Sequence, residues 1–159
     1  MVILGIDPGS RYCGYGLLEV QGRRIVAACC DVINMAREKD LLKRLDMLYT
    51  AIDGVMEEYK PEVAVVESMF FQKHIRSIFT LGHARGVILL AIARHKIPLQ
   101  EYSPREIKKA VVGNGNASKQ QVRFMVSKML NLKSTQTTDD AYDALGMALC
   151  HWHRMKFSP

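Results

Sequence analysis

An apolar segment that ends in a carboxylate and a tight turn lies near the start of the chain, where residues 2–9 read Val2-Ile3-Leu4-Gly5-Ile6-Asp7-Pro8-Gly9. Aliphatic and β-branched residues in such a run favour a strand, and the Pro-Gly pair ends it. The pattern therefore predicts a strand over residues 2–7. Asp7 is then held at the edge of a sheet by the strand that precedes it.

The same pattern occurs a second time, where four apolar residues precede Glu67. A third group of acids, Asp139, Asp140 and Asp143, opens the last predicted helix. Asp140 and Asp143 are three residues apart, so they share one face of that helix. If the helix docks near the ends of the two strands, Asp7, Glu67 and Asp140 or Asp143 converge.

Carboxylates that are held together repel one another unless a cation lies between them. Oxygen-only ligation favours one or two Mg²⁺ ions, with Mn²⁺ as a possible substitute, and such ions support in-line cleavage of phosphodiesters. Acids in the first turn of a helix have a simpler explanation, since they also favour the helix dipole. For Asp139 the dipole explanation is favoured, whereas Asp140 is open between the two.

Composition and charge limit the class of protein. The chain has 159 residues, of which 48% are hydrophobic and 24% charged, which predicts one globular domain over 1–159. The formal charge of +6 indicates a polyanionic partner, although mild basicity also occurs without one. There is no apolar run of about 18 residues, and the first apolar residues are typical of a strand rather than a signal peptide. We therefore expect a cytoplasmic protein without a membrane partner.

The periodicity of apolar residues predicts the order of the elements. Strands are expected at 2–7, 13–20, 24–32, 62–67 and 98–102. Helices are expected at 40–59, at 75–95 and from 138 or 139 to about 155, and capping boxes at Ser103 and Ser118 begin two more. Three antiparallel strands followed by alternating helices and strands predict an α/β fold with a five-stranded mixed sheet flanked by helices.

The loop after Glu67 combines aromatic and basic residues, which are Phe70, Phe71, Lys73, His74 and Arg76. Aromatic rings stack on unpaired bases while cations contact phosphates, so the loop is a candidate DNA contact. The alternative is that the aromatic rings anchor the loop to the core. Phe70 is expected to be exposed, and Phe71 fits either location.

A second group of basic residues surrounds the turn at 113–116 and comprises Arg105, Lys108, Lys109, Lys119 and Arg123. Turn amides and helix N-termini bind phosphate, so this group is a second candidate DNA contact. A solvated helix face is the alternative. Arg11, which follows the Pro-Gly turn, is placed to meet phosphate near Asp7.

Two features of the later helices have open interpretations. The helix at 75–95 has an apolar stripe interleaved with Gly82 and Gly86, which suits contact with a second copy of the chain or packing against the sheet. His151 shares a helix face with Asp140 and is interpreted as a structural histidine rather than as a group beside the acids.

The order of the acids and their flanking residues resembles the RuvC family of Holliday junction resolvases over essentially the whole chain. The segments that carry the resemblance are Gly5-Ile6-Asp7-Pro8-Gly9-Ser10-Arg11 with Gly14-Tyr15-Gly16, Val66-Glu67 with Phe70, Leu81-Gly82-His83-Ala84-Arg85-Gly86, Val111-Val112-Gly113-Asn114-Gly115 with Lys119, and Asp140-Ala141-Tyr142-Asp143-Ala144-Leu145. Each segment alone is a weak signal, but their order and spacing together are specific.

The resemblance implies a ribonuclease H-like fold and a homodimeric, magnesium-dependent endonuclease. Such an enzyme makes symmetric nicks in opposing strands of four-way DNA junctions during recombination and repair, and leaves 5′-phosphate and 3′-hydroxyl ends. A RuvA–RuvB branch-migration complex is the implied protein partner.

The resemblance also implies roles for individual residues. Its catalytic, metal-binding acids correspond to Asp7, Glu67, Asp140 and Asp143. Phe70 corresponds to an aromatic residue that stacks on bases near the junction centre. Lys108 and Lys119 correspond to basic residues around the scissile phosphate, where Lys119 would also take part in catalysis.

Three other functions are open at this point. An actin-like ATPase or sugar-kinase lobe also begins with a strand, an acid and a glycine turn, but it needs two lobes, and no Gly-x-x-x-x-Gly-Lys-Ser/Thr loop is present. An inactive DNA-binding relative predicts the loss of an acid, and none is lost. A nuclease of the same fold with another substrate, such as an RNA–DNA hybrid, is compatible with the fold.

Overall fold

The computed structural model describes residues 1–68, 75–132 and 138–157, with the backbone alone for 75–77 and 156–157. The strands are β1 Val2–Asp7, β2 Tyr12–Gln21, β3 Arg24–Asn34, β4 Val63–Glu67 and β5 Leu99–Tyr102. The helices are α1 Leu41–Tyr59, α2 Ile75–Arg94, α3 Pro104–Val112, α4 Lys119–Met129 and α5 Asp139–Phe157. The predicted order of elements is confirmed, and so are both capping boxes, at the starts of α3 and α4.

The five strands form one mixed sheet in the order β3-β2-β1-β4-β5. β1 pairs antiparallel with β2, where Asp7 lies opposite Gly14, and parallel with β4, where Ile6 lies opposite Val66. Asp7 and Glu67 are the next residues of two adjacent parallel strands, so both emerge at the same edge of the sheet. The predicted five-stranded mixed sheet flanked by helices is confirmed.

Successive side chains of a strand point to opposite faces of the sheet, and each face therefore carries its own apolar layer. One layer joins the sheet to α3, α4 and α5, with Val65, Val126 and Leu145 among its buried residues. The other layer joins the opposite face to α1 and α2, with Ile52 and Ile88 among its buried residues.

Helix α5 approaches the sheet closely because the strands carry glycine where the helix crosses them. A β-carbon at Gly14 would collide with the main-chain carbonyl oxygen of Asp140, and one at Gly5 with that of Ala144. Glycine at these positions lets the first turns of α5 lie directly on the pair of strands that carries Asp7. The close approach thus determines where the acids of α5 lie.

The hairpin of β2 and β3 is longer than the sequence predicts. Its ladder continues beyond the predicted ends to Tyr12 opposite Asn34, because main-chain pairing does not depend on apolar side chains. Gly22, with a φ of 60°, supplies the turn. Within the described part of the chain, no helix has both the length and the apolar character needed to cross a membrane.

Candidate active site

A cleft of about 400 Å³ opens where β1 and β4 end. Its charged lining consists of three acids and three basic residues, which are Asp7, Glu67, Asp143, Arg85, Lys108 and Lys119. The other lining residues are Pro8, Ser68, Ile78, Leu81, Pro104, Ile107, Val122 and Met147. Strands β1 and β4 and helices α2, α3, α4 and α5 therefore all contribute to one charged cavity.

Asp7 stands at the end of β1 among other acids. Burial raises the pKa of Asp7 to about 8, together with the negative charges of Asp143, Glu67 and Asp140, while the charge of Lys119 opposes the rise. Asp143, Glu67 and Asp140 therefore all lie within electrostatic reach of Asp7. The ionised form of the Asp7 carboxyl is therefore destabilised, and a nearby cation would stabilise it.

Glu67 ends β4, and its main chain is fixed by Arg85. The guanidinium of Arg85 donates a hydrogen bond to the main-chain carbonyl of Glu67 at 2.7 Å and forms an ion pair with Glu101 of β5. Burial raises the pKa of the Glu67 carboxyl and Asp143 adds to the rise, whereas Lys119, Lys108 and Arg85 lower it. Because Arg85 is only 8% exposed, its charge requires these partners.

Asp143 and Asp140 lie on the first turns of α5. The Nζ of Lys119 donates to Oδ2 of Asp143 at 3.2 Å, which connects the start of α4 to α5. Burial raises the pKa of Asp143, and Lys119 partly offsets this rise. Asp140 does not line the cleft, although its charge acts on Asp7.

Asp139 forms an ion pair with Arg123 of α4 instead of joining the cleft. The same guanidinium lies 4.8 Å from the centre of the Tyr142 ring. Thr138 Oγ1 accepts a hydrogen bond from the main-chain N–H of Ala141 at 3.5 Å, as an N-cap side chain does. These contacts fit the interpretation of Asp139 as part of the helix start.

The acids match a divalent cation in chemistry but not yet in arrangement. Among the side chains that the structure describes, no group of three or more His, Cys, Asp or Glu is arranged to hold one metal ion. Carboxylate oxygens are nevertheless the donors that Mg²⁺ and Mn²⁺ prefer, and burial together with the neighbouring negative charges raises the pKa of Asp7. Mg²⁺ is usually held by one or two carboxylates, with water and substrate phosphate as its other ligands.

The predicted DNA contacts fall into three groups. Lys108 and Lys119 line the cleft together with the acids. Arg11 is exposed next to the turn that follows Asp7, and it is not part of the cleft lining. Phe70 lies outside the described residues, and only the helical backbone is described for Arg76.

His151 has a structural partner away from the acids. Its Nδ1 lies 2.8 Å from the hydroxyl of Tyr102, and burial lowers its pKa. The imidazole is therefore favoured in its neutral form within a hydrogen bond that joins α5 to β5. This arrangement fits the structural interpretation of His151.

The sequence patterns assigned no role to two residues near the acids, Arg85 and Cys13. Arg85 shares a helix face with Leu81 and Ile88, and a charged residue on an apolar face is the signal that could have revealed it. Cys13 is buried, and its pKa is raised to about 12 by burial and by the charge of Asp7. Nothing in the sequence separates such an inert thiol from any other strand residue.

Comparison with known proteins gives consistent matches. The family model described as "Crossover junction endodeoxyribonuclease RuvC" matches residues 3–151. A protein of that description from Heliobacterium modesticaldum is 43% identical over 155 residues, which are 98% of this chain and 96% of the relative. One from Desulforamulus reducens is 42% identical over 151 residues, covering 95% of this chain and 93% of the relative.

Solved structures agree with the sequence matches. Thermus thermophilus RuvC in complex with a Holliday junction substrate superposes with a TM-score of 0.88 at 30% identity, over 98% of this chain and 95% of that chain. The yeast mitochondrial Holliday junction resolvase has a TM-score of 0.65 at 14% identity, over 96% of this chain and 78% of that chain, and shows a shared fold.

Proposed function

Since the chain belongs to the RuvC family of crossover junction endodeoxyribonucleases, we propose that it cuts four-way DNA junctions at the cleft between β1, β4 and α5. It is a Holliday junction resolvase with the ribonuclease H-like fold, and acts in DNA recombination and repair. The observation that carries the proposal is the electrostatic repulsion of Asp7 by the other acids. Asp7 has three other carboxylates within electrostatic reach, and two of them, Glu67 and Asp143, line the same cleft as Lys108 and Lys119.

The carboxylate donors of the cleft indicate which metal cofactor the protein would use. Asp7, Glu67, Asp140 and Asp143 would hold one or two Mg²⁺ ions, with Mn²⁺ as a substitute. A bound divalent cation supplies positive charge to the phosphate and to the leaving oxygen. Support comes from the oxygen-only donor set and from the raised pKa of Asp7, Glu67 and Asp143.

Basic side chains of the protein would bind the DNA substrate. Lys108 and Lys119 would bind the scissile phosphate, and Lys119 would also stabilise charge that develops on it or transfer a proton. Arg11 and Arg76 would contact neighbouring phosphates, and Phe70 would stack on bases near the junction centre. In-line attack by water then leaves a 5′-phosphate and a 3′-hydroxyl.

Symmetric nicks in opposing strands require two active sites, so we propose a homodimer. Support comes from α2, where Phe79 and Leu90 are 67% and 55% exposed. A β-carbon at Gly82 or Gly86 would meet open space, which leaves room for a second helix. A RuvA–RuvB branch-migration complex is the proposed further partner, in the cytoplasm.

The test uses a labelled four-way junction and, separately, its linear duplex arms, each with Mg²⁺ and with EDTA. Paired symmetric nicks in the junction alone, lost with EDTA, are expected. Asp7→Asn should abolish cleavage, because it removes one of the proposed metal-binding acids. It should retain junction binding, because it removes a negative charge beside the DNA. Cleavage of the duplex arms would instead identify a general nuclease, and binding without cleavage an inactive relative.

A further inference from the structure

Two ion pairs join α4 to α5 and differ in their position relative to the cleft. Lys119 pairs with Asp143, and four residues further along α4, Arg123 pairs with Asp139, four residues earlier on α5. Four residues make about one helical turn, so the two pairs are successive connections between helices that run in opposite directions. The first pair lies in the cleft, whereas the second holds an acid outside it.

The two connections are held to different degrees. Besides its ion pair, the Arg123 guanidinium lies 4.8 Å from the centre of the ring of Tyr142, which is only 1% exposed. The Lys119 side chain is 75% exposed, so burial contributes little to its position. An exposed pair between a long, flexible side chain and a carboxylate gives only a small net stabilisation. The Lys119 ammonium can therefore leave Asp143 while Arg123 keeps α4 in place.

Lys119 acts on more than its hydrogen-bond partner. Burial raises the pKa of Asp7, Glu67 and Asp143, and the positive charge of Lys119 opposes this rise at all three carboxyls. Conversely, the charges of Asp143, Asp7 and Asp140 raise the pKa of Lys119. One ammonium group therefore offsets part of the charge of all the acids, which is also what a divalent cation would do there.

We propose that Lys119 is a displaceable counterion of the acid cluster, and that a divalent cation bound by Asp143 releases the Lys119 ammonium to the DNA phosphate. This inference rests on the proposed function, since it assumes that the acids bind a cation. It adds a competition between lysine and metal for the same carboxylate. Lys119 should consequently oppose metal binding and yet promote cleavage.

These two effects have opposite signs in one variant. Lys119→Met removes the competing charge, so the DNA-free protein should bind Mn²⁺ more tightly, by roughly twofold to fivefold for an exposed ion pair. The same variant should cut the junction at least about tenfold more slowly, because it loses a charge that stabilises the transition state. A group that merely supports the fold would weaken both properties.

Isothermal titration of Mn²⁺ into the full-length, DNA-free protein measures the first effect, and single-turnover cleavage of a four-way junction measures the second. Lys128→Met is the matched control, because it removes the same charge from the exposed end of the same helix. This control should leave the Mn²⁺ affinity within about twofold of the unmodified protein. Thermal unfolding checks that both variants are folded.

An unchanged or weaker Mn²⁺ affinity in Lys119→Met would overturn the proposal, as would equal tightening in Lys128→Met. If the unmodified protein binds Mn²⁺ and cuts junctions while Lys119→Met binds no more tightly, only the counterion proposal fails. If the unmodified protein neither binds Mn²⁺ nor cuts junctions, the proposed function fails and the counterion proposal with it.

Discussion

Arg85 donates a hydrogen bond to the main-chain carbonyl of Glu67 at 2.7 Å, and this contact ties α2 to the end of β4. The side chain reaches this carbonyl from a buried position and also pairs with Glu101 on β5. A guanidinium can satisfy both groups at once because its donors are fixed in a planar fork. Arg85 therefore holds the point at which the chain leaves the sheet and presents the Glu67 carboxylate to the cleft.

Arg85→Gln should impair cleavage more than junction binding. The variant leaves the Glu67 carbonyl and Glu101 without their charged donor, which should reduce the free energy of unfolding by about 1–3 kcal/mol. Urea unfolding measures the loss of stability, and single-turnover cleavage beside junction binding separates catalysis from affinity. Arg94→Gln, at the exposed end of α2, is the control and should change neither. Unimpaired cleavage in a destabilised Arg85→Gln protein would show that the Glu67 main chain needs no such anchor.

Gly14→Ala should disturb the site through the backbone of α5. The added β-carbon collides with the Asp140 carbonyl oxygen, so the first turn of α5 must move away from the strands. Overpacking of this kind costs about 1–3 kcal/mol, and here it also displaces Asp140 and Asp143. Gly54→Ala in α1 is the control, since its β-carbon meets open space and alanine favours the helix. Chemical denaturation and junction cleavage measured on both variants test this, and normal cleavage by Gly14→Ala would contradict it.

Local sequence signals were sufficient to predict the elements that carry the site. The apolar runs before Asp7 and Glu67 predicted two strands, and both strands end at these acids. The Ser103 and Ser118 capping boxes located the starts of α3 and α4. These signals are reliable because each depends only on residues that are close together in the sequence.

The contacts between elements could not be obtained in the same way. Asp139 and Asp140 are neighbours on one helix turn, yet Asp139 pairs with Arg123 while the charge of Asp140 reaches Asp7. Which of two adjacent acids faces the sheet depends on the rotation and depth of α5, and those depend on the glycines that it packs against. Residues far apart in sequence decide both, and a single sequence does not state their distances.

Charge placed on the exposed face of α2 should prevent the proposed dimer from forming. Phe79→Glu puts a carboxylate where a 67% exposed aromatic ring now lies, and burying that charge in an interface is costly. Sedimentation equilibrium should show a shift from dimer to monomer, with a loss of paired nicking. Phe124→Glu, on a 59% exposed ring of α4, is the matched control and should remain dimeric. Dissociation by the α4 variant and not by the α2 variant would place the interface elsewhere.

The raised pKa of Asp7 makes stability depend on pH in a defined direction. The ordinary value is 3.8 and the folded value is about 8, so between these values the folded chain binds more protons than the unfolded chain. The contribution of Asp7 to stability is therefore complete below about pH 4 and is lost as pH rises towards 8. Asp7→Asn has no charge to lose, so its stability should not decline for this reason.

Unfolding in urea at pH 5 and pH 8 tests this dependence in metal-free buffer. The advantage of Asp7→Asn over the unmodified protein should grow with pH, to on the order of a few kcal/mol at pH 8, since one pKa unit corresponds to about 1.4 kcal/mol. Asp46→Asn, at an exposed position of α1, is the control and should show no such trend. At pH 8, Mg²⁺ should stabilise the unmodified protein more than Asp7→Asn, because binding to the folded state adds to its stability. Parallel pH curves for the unmodified protein and Asp7→Asn would mean that the Asp7 carboxylate is not strained by its surroundings.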